Sequence, residues 1–355
     1  MRDPAVDPGT DQSGGVIDAV ELARWIGERT DVVGGLRLAR IGLGQSNLTF
    51  SVADGAGVRW VARRPPQGEL LASAHDVRRE GRILAALRDS AVPVPAVLGV
   101  CDDPRVTDAP LVVMEHVDGV VVDRMPTAEA IPPDVRAAAG HGVATTLAAV
   151  HAVDLDRAGL ADLGSHRPYA ARQLRRWSRQ WEASKLRDLA ALDRLTEWLT
   201  AHAPERQSVA LVHGDFHLRN LVLDPTRGRV RAVLDWELST LGDPLADLGS
   251  VLAYWPEAGE AATGVFAASA LPGFPTRRGI VEAYAAASGW SITDLPYWHA
   301  LGLWKIAIIA EGIRRRAHDV PANAADGGPP DPDVVDRLVE RAWGVVGTAR
   351  TGTPP

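Results

Sequence analysis

In Val209-Ala210-Leu211-Val212-His213-Gly214-Asp215-Phe216-His217-Leu218-Arg219-Asn220, an apolar run of strand composition ends in a turn loaded with polar groups. Asp215 and Asn220, five positions apart, can face one space from the two ends of that turn, one as a base and the other as a metal ligand. Oxygen donors of this kind suit Mg2+, which takes one or two protein groups and keeps waters and phosphates for its remaining positions. Fifteen residues further on, a second apolar run, Val230 to Leu234, ends in Asp235, a second carboxylate placed for the same metal. Singly, Asp and Asn at strand ends most often only cap turns. Their succession as turn, strand, turn, strand and Asp favours chemistry over capping. His213 and His217 are spaced His-x-x-x-His, but they straddle a Gly-Asp turn instead of converging from a helix, so zinc is not expected.

On the N-terminal side, Val16 to Thr30 carries apolar residues at helical spacing. Leu36 to Ile41, Leu48 to Ala53 and Val58 to Arg64 read as an antiparallel meander, split by Gly42-Leu43-Gly44 and by the Asp54-Gly55-Ala56-Gly57 turn. Pro65-Pro66 ends the third strand, and Glu69 to Leu87 places Leu70, Val77, Ile83, Leu84 and Leu87 on one helical stripe. Val94 to Cys101 and Leu111 to Val117 are two further strands. Gly42, Gly44, Gln45, Ser46 and Asn47 form a loop in which glycine lets the backbone approach phosphate oxygens and the polar residues add donors. A Gly pair in a hairpin is also an ordinary turn. The loop lacks G-x-G-x-x-G and a following helix, which disfavours a dinucleotide fold, and no GK[ST] is present for a P-loop. Arg63 ends the third strand and Glu80 lies on the next helix, where the two can pair. Arg64 points to the opposite face of its strand, so Arg63 is the one expected at the site. In Leu111 to Gly119, the Glu115 carbonyl and the Val117 amide are candidate partners for a nucleobase, with Met114 as a wall.

On the C-terminal side the periods are mostly helical: Val135 to His151, an arginine-rich stretch from Tyr169 to His202, Val281 to Ala287 and Leu295 to Ala317. Pro321 to Pro332 reads as a surface loop, and the ends, 1–15 and 348–355, as flexible tails. With 38 Lys+Arg against 45 Asp+Glu and a net charge of −7, the chain has no field to attract nucleic acid. The single cysteine, Cys101, excludes internal disulfides and fits a reducing compartment. No segment reaches the roughly 18 apolar residues of a membrane helix, and the N-terminus has no signal-peptide pattern. A cytoplasmic protein is expected. The only lysines are Lys185 and Lys305, so a lysine cannot serve the sheet.

Together these motifs resemble the aminoglycoside phosphotransferase family, small-molecule kinases with a protein-kinase-like fold. The resemblance runs from about Leu38 to about Ala317. It rests on Gly44-Gln45-Ser46-Asn47, Val61-Ala62-Arg63-Arg64-Pro65-Pro66, Glu80, Val113-Met114-Glu115, His213-Gly214-Asp215 with Asn220, Leu234-Asp235-Trp236-Glu237 and Leu241-Gly242-Asp243-Pro244-Leu245-Ala246-Asp247-Leu248. It implies an α+β, bilobal architecture: a nucleotide-binding lobe at 16–116, a small antiparallel sheet with one helix, and a larger, mostly helical lobe at 117–347. It implies that Asp215 is the catalytic base, that Asn220 and Asp235 hold Mg2+, and that ATP or GTP is the donor. Arg63, a form common in the family, would grip phosphates. His213 and Asp247 would support the catalytic loop.

Leu70 to Arg82 with Ser73-Ala74-His75, Arg172 to Ser184 with Trp177 and Trp181, and Trp236 to Asp243 look more specifically like the kinase domain fused to some acyl-CoA dehydrogenases. That likeness implies a hydroxyacyl-CoA or hydroxy acid as acceptor. Arg219 is a departure, since such relatives more often carry an acidic residue there. Arg172, Arg175, Arg176, Arg179, Lys185, Lys305, Arg314 and Arg315 form either a basic face for an anionic acceptor or a solvated surface. An aminoglycoside kinase and a catalytically idle nucleotide-binding regulator are the alternatives. Protein kinase activity is disfavoured because Trp236-Glu237 stands where protein kinases have Phe-Gly and no Ala-Pro-Glu segment follows.

Overall fold

A computed structural model describes residues 15–41, 47–66, 76–205, 207–260, 264–320 and 328–351. The chain divides into two units: residues up to Asp118 together with Arg231–Leu238, and Gly119–Val230 together with Ser239 onward.

In the first unit, helix α1 (Ala19–Gly27) starts where the Asp18 carboxylate accepts the amides of Val20, at 2.9 Å, and Glu21, at 3.0 Å. That cap sets the start three residues later than apolar spacing alone suggests. Strands β1 (Arg37–Ile41), β2 (Leu48–Ala53) and β3 (Arg59–Arg64), helix α2 (Val77–Leu87), and strands β4 (Val97–Cys101) and β5 (Leu111–Glu115) follow. The sheet order is β1-β2-β3-β5-β4, with every neighbouring pair antiparallel. Asp54 builds the β2–β3 turn by accepting the amides of Ala56 and Val58, each at 2.9 Å, and that of Val33 at 3.0 Å. Leu22, Trp25 and Ile26 of α1 pack with Phe50, Val52, Trp60, Ala62, Leu111 and Val113 into one core.

Alternation along β3 gives two adjacent arginines opposite surroundings. Trp60, Ala62 and Arg64 are buried and the residues between them half-buried. Arg64 serves the scaffold: it donates to Thr107 Oγ1 at 2.6 Å and Val16 O at 2.9 Å, and it pairs with Asp108 at 2.6 Å. Arg63 is left on the other face. Helix α2 is capped by Asp76, which accepts the Arg79 amide at 3.0 Å. The part of the expected helix from Glu69 to His75 falls on residues 67–75, which lie outside the described residues.

The second unit opens with β6 (Val120–Val121), α3 (Met125–Ala130), α4 (Pro133–His151), α5 (Tyr169–Ser184) and α6 (Ala190–Ala201). The single helical stretch expected from Tyr169 to His202 is two helices. Ser184 Oγ turns back onto Gln180 O at 2.7 Å, Lys185 is extended, and the Leu186 amide is taken by the buried Glu311 carboxylate at 2.9 Å. Strand β7 (Ala210–Val212), a 3-10 turn at Leu218–Asn220 and β8 (Leu221–Leu223) come next, and β6 pairs antiparallel with β8. Strand β9 (Val230–Val233) carries the chain back into the first unit, where the Val233 amide donates to Pro93 O at 2.8 Å.

Strand β10 (Thr240–Gly242) then pairs antiparallel with β7, and α7 (Pro244–Ala253), α8 (Arg277–Ser288), α9 (Leu295–Asp319) and α10 (Pro332–Thr351) complete the chain. The last helix runs four residues into the stretch expected to be frayed from Thr348. Helices α7 and α9 cross at two glycines. A Cβ on Gly249 would stand 2.3 Å from Trp298 O, and one on Gly302 would stand 2.8 Å from Gly249 O, so only glycine permits this backbone approach. Among the described residues no helix is long and apolar enough to cross a membrane.

Candidate active site

The first unit joins two of the other expected residues, Glu80 and Asp235, to Arg63. Its Nη1 donates to Glu80 Oε1 at 2.5 Å and its Nη2 to Asp235 Oδ1 at 2.9 Å. The guanidinium fork thus ties β3 to α2 and to Asp235, two residues past the end of β9. Burial lowers the Arg63 pKa, but Glu80, Asp235 and Glu237 outweigh it and hold the proton more firmly than usual. Burial pushes the Glu80 carboxyl up, against the pull of Arg63. Asp235 has φ 66°, making it the only non-glycine residue in the left-handed region among those described. Asp and Asn enter that region more readily than other side chains, and a residue held there marks a site where backbone strain is retained.

Asn47 is buried beside this cluster, and its Nδ2 donates to Glu237 Oε2 at 2.7 Å. Glu237 was not singled out from the sequence as an anchor, and its partner 190 positions away leaves no local trace. Gly42, Gly44, Gln45 and Ser46 lie outside the described residues. Glu115 is the last residue of β5, its amide donating to Ala96 O at 2.8 Å, and Met114 before it is buried. Val117 is half-buried two residues further on. No contact joins Glu115 or Val117 to the Arg63 cluster among the hydrogen bonds and ion pairs described.

In the second unit, β7 delivers His213, Gly214 and Asp215 into a clamped turn. Asp247, in the first turn of α7, accepts the His213 amide at 2.6 Å and the Gly214 amide at 2.9 Å. His151 Nε2 lies 3.4 Å from the same carboxylate, and its Nδ1 is 2.7 Å from the Tyr284 hydroxyl. Burial raises the Asp247 carboxyl, and His151, His213 and the Gly214 amide pull it below its ordinary value. The other side of the turn is held by Lys305, whose Nζ donates to Gly214 O at 2.9 Å. Sequence reasoning placed Lys305 only with a basic face and did not anticipate its bond to Gly214 O. Its signal was present: a lone cation inside the apolar run Leu301 to Ile309 requires a buried acceptor.

Asn220 Nδ2 donates to Asp215 O at 2.9 Å and to Asp215 Oδ2 at 3.3 Å, so the carboxamide and the carboxylate are brought together. His217 Nε2 lies 3.3 Å from the same Oδ2. Burial raises the Asp215 carboxyl, but His217, Lys305 and His213 overcome it and hold the group ionised, far below the usual carboxylate range. Burial lowers the Lys305 pKa, with Asp215 and Asp247 opposing.

Two cavities flank this turn. One, small, is walled by Tyr169, Trp177, Trp298 and Trp304, with Lys305 in its lining. The other, smaller still, is lined by His217, Val251, Tyr254 and Phe266 with Arg219. The basic residues expected on one face are largely engaged elsewhere: Arg172 donates to Leu241 O, Lys185 pairs with Glu182 and Asp188, Arg314 with Glu311, and Arg315 with Asp319.

Asp235 in the first unit and Asn220 in the second each offer oxygen, the donor type of a hard divalent cation. Phosphate finds one orphaned donor: Arg63 Nε is buried with no hydrogen-bond partner among the described residues, while the Asn47 Oδ1 acceptor, equally unpartnered, calls for a donor instead. Orphaned buried polar atoms in one cluster are what a bound polar ligand satisfies.

The phosphotransferase enzyme family model, APH, matches residues 37–280. The chain belongs to the APH family. A putative aminoglycoside phosphotransferase from Ralstonia eutropha has a similar structure, with a TM-score of 0.76 and 31% identity over 94% of this chain and 99% of that one. Acyl-CoA dehydrogenase family member 10 of Mus musculus is 34% identical over 318 residues, covering 88% of this chain and 30% of that protein. The APH chain thus spans about a third of the length of the curated relatives it matches. An aminoglycoside phosphotransferase APH(4)-Ia, in ternary complex with AMP-PNP and hygromycin B, shares the fold at a TM-score of 0.59 and 17% identity, over 94% of this chain and 100% of that one. The chain therefore has the kinase-like α+β fold of the phosphotransferases.

Proposed function

We propose that this APH chain is an ATP- and Mg2+-dependent phosphotransferase that moves the γ-phosphoryl group to a hydroxyl of a small molecule, a hydroxyacyl-CoA or hydroxy acid. The observation that carries the reading is Asp215, held ionised on a turn that Asp247 and Lys305 clamp from opposite sides. Phosphoryl transfer passes through a loose transition state, so positioning and charge neutralisation dominate. In this reading Asn220 and Asp235 would each give an oxygen to Mg2+, which when bound neutralises phosphate charge. Arg63, steadied by Glu80, would direct its fork at phosphate oxygens. Asp215 orients the acceptor hydroxyl and takes its proton late, because a hydroxyl is too weakly acidic to surrender it beforehand.

The acyl acceptor is supported by the likeness to acyl-CoA dehydrogenase family members and by the charge of the cavities beside the turn. Each is lined by a cation and neither by a carboxylate, a poor environment for a polycationic aminoglycoside. Retention of Asp215, Asn220 and Asp235 argues against a catalytically idle protein.

The test compares thermal unfolding of wild type and Asp235→Asn with and without Mg2+-ATP. At a hundred times Kd, ligand linkage adds about 2.7 kcal/mol, a shift of several degrees. A metal-dependent shift that shrinks in the variant is expected, followed by ATP-dependent phosphorylation of 3-hydroxyacyl-CoA in preference to hygromycin B. The absence of any shift with ATP or GTP refutes the reading.

A further inference from the structure

The catalytic turn carries a second polar side chain two residues past Asp215. Phe216 between them is buried in the core, and His217 has an extended backbone, φ −159° and ψ 169°. Its carbonyl accepts the Asn220 amide at 2.9 Å and so starts the 3-10 turn. Its ring comes back to the base, with Nε2 3.3 Å from Asp215 Oδ2. Asn220 Nδ2 reaches the same oxygen at 3.3 Å, but it lies closer to Asp215 O, at 2.9 Å. No partner of Asp215 Oδ1 is found among the described residues, and the side chain is 28% exposed, so Oδ1 is the oxygen left for an incoming hydroxyl.

The His217 ring is itself held. It is buried, and it meets Tyr254 at 5.0 Å and Phe266 at 5.6 Å, edge-on to both, while those two rings stack with centroids 4.7 Å apart. Tyr254 ends α7, where Pro256 stops the helix, and Ser269 Oγ donates to Pro256 O at 3.0 Å, which returns the Gly264–Ala270 turn and its Phe266 to the histidine. His217 Nδ1 is buried with no hydrogen-bond partner among the described residues. A neutral imidazole carries one proton. On Nδ1 it would leave a buried donor unpaired and turn a lone pair toward the carboxylate, whereas on Nε2 it points at Oδ2. An imidazolium also carries a proton on Nε2, so the bond to Asp215 does not depend on the charge of the ring.

We infer that His217 is a positioning residue for the base: its Nε2–H pins Asp215 Oδ2, fixing the carboxylate plane so that Oδ1 meets the acceptor hydroxyl. The inference rests on the phosphotransferase reading for the role of Asp215. It gives the aromatic pair Tyr254 and Phe266 a task, since their edges fix the ring that fixes the base.

Two readouts on the full chain test it. Nuclear magnetic resonance of histidine-labelled protein, with the His217 signals assigned by their loss in His217→Gln, is expected to find the ring proton on Nε2. A ring protonated on Nδ1 alone overturns the inference even if phosphate is transferred. The second readout is steady-state transfer from Mg2+-ATP to 3-hydroxybutyryl-CoA. His217→Phe keeps a flat ring against Tyr254 and Phe266 but lacks the donor, and it is expected to lower kcat about tenfold to a hundredfold with little change in either KM. His217→Gln, whose amide N–H can reach the same oxygen, is expected to recover most of that loss. His217→Leu repeats the deletion if the phenylalanine variant does not fold. A Phe or Leu variant that turns over like wild type, or a Gln variant no faster than they are, overturns the inference. An Nε2 proton in a wild type that transfers no phosphate supports the His217 bond and places the failure in the phosphotransferase reading.

Discussion

Replacing Arg63 by methionine removes a guanidinium whose side chain is 12% exposed from a carboxylate, Glu80, that is 1% exposed. The two groups stand 2.5 Å apart, and Glu80 Oε2 has no hydrogen-bond partner among the described residues. The variant therefore buries a carboxyl group with no cation at Oε1 and only the Trp236 amide to balance it. Breaking a buried ion pair in this way costs about 3–5 kcal/mol, more than the loss of the attraction itself, because the remaining charge stays desolvated. Adding Glu80→Gln to Arg63→Met takes away that charge and is expected to return more than half of the loss. Urea unfolding of the single and double variants, followed by tryptophan fluorescence, measures both quantities. Neither variant is expected to regain stabilisation by Mg2+-ATP, which separates the role of Arg63 in the scaffold from its role toward phosphate. A double variant as unstable as Arg63→Met alone, or an Arg63→Met cost below about 1 kcal/mol, would refute the argument that a buried charge pair holds β3 to α2.

Lys305→Met removes a charge-assisted bond to Gly214 O worth about 1.5–3 kcal/mol and should lower turnover by one to two orders of magnitude; Lys305→Arg should recover part of it, and unaltered turnover in the methionine variant would contradict the clamp. Gly249→Ala, whose Cβ meets Trp298 O at 2.3 Å, should lose about 1–3 kcal/mol through forced separation of α7 and α9, visible as a lower urea midpoint. His299, buried on α9, is pushed down to about 3 by burial first and by Arg277 and Arg341 after it. The unfolded ring titrates near 6.5, so between pH 6.5 and 3 the unfolded chain binds more protons, and stability falls as pH falls across that window by up to about 1.4 kcal/mol per unit. His299→Phe should flatten that slope between pH 7 and 4, and an unchanged slope would assign it to other groups.

The sheet was legible because turn residues punctuate it. Asp54 and the glycines around it close β2 onto β3, and a period of two then separates Arg63 from Arg64 on opposite faces of the strand. Asp215, Asn220 and Asp235 were legible as polar residues at the ends of apolar runs. What escaped depends on distant partners. The break between α5 and α6 is enforced by Glu311, 125 positions from the amide it accepts, and a helical period carries no record of it. Helix α7 is buried along its whole length and so shows no amphipathic stripe, although Asp243 followed by Pro244 is a start signal that could have been read. Strands β6 and β10, two and three residues long, are too short for any periodicity to reveal.

The left-handed backbone at Asp235 divides its possible replacements into two groups. Asparagine and glycine can occupy φ 66° with little penalty, whereas alanine, glutamate or a β-branched residue would have to bend the chain where β9 ends. On the proposed metal role of Asp235, a lineage that abandons catalysis through Asn or Gly at this position would keep its backbone and lose only the ion pair with Arg63. One that loses it through any other side chain would record the loss as altered backbone and lower stability. The two histories of decay would then be told apart by melting temperature, without an activity assay.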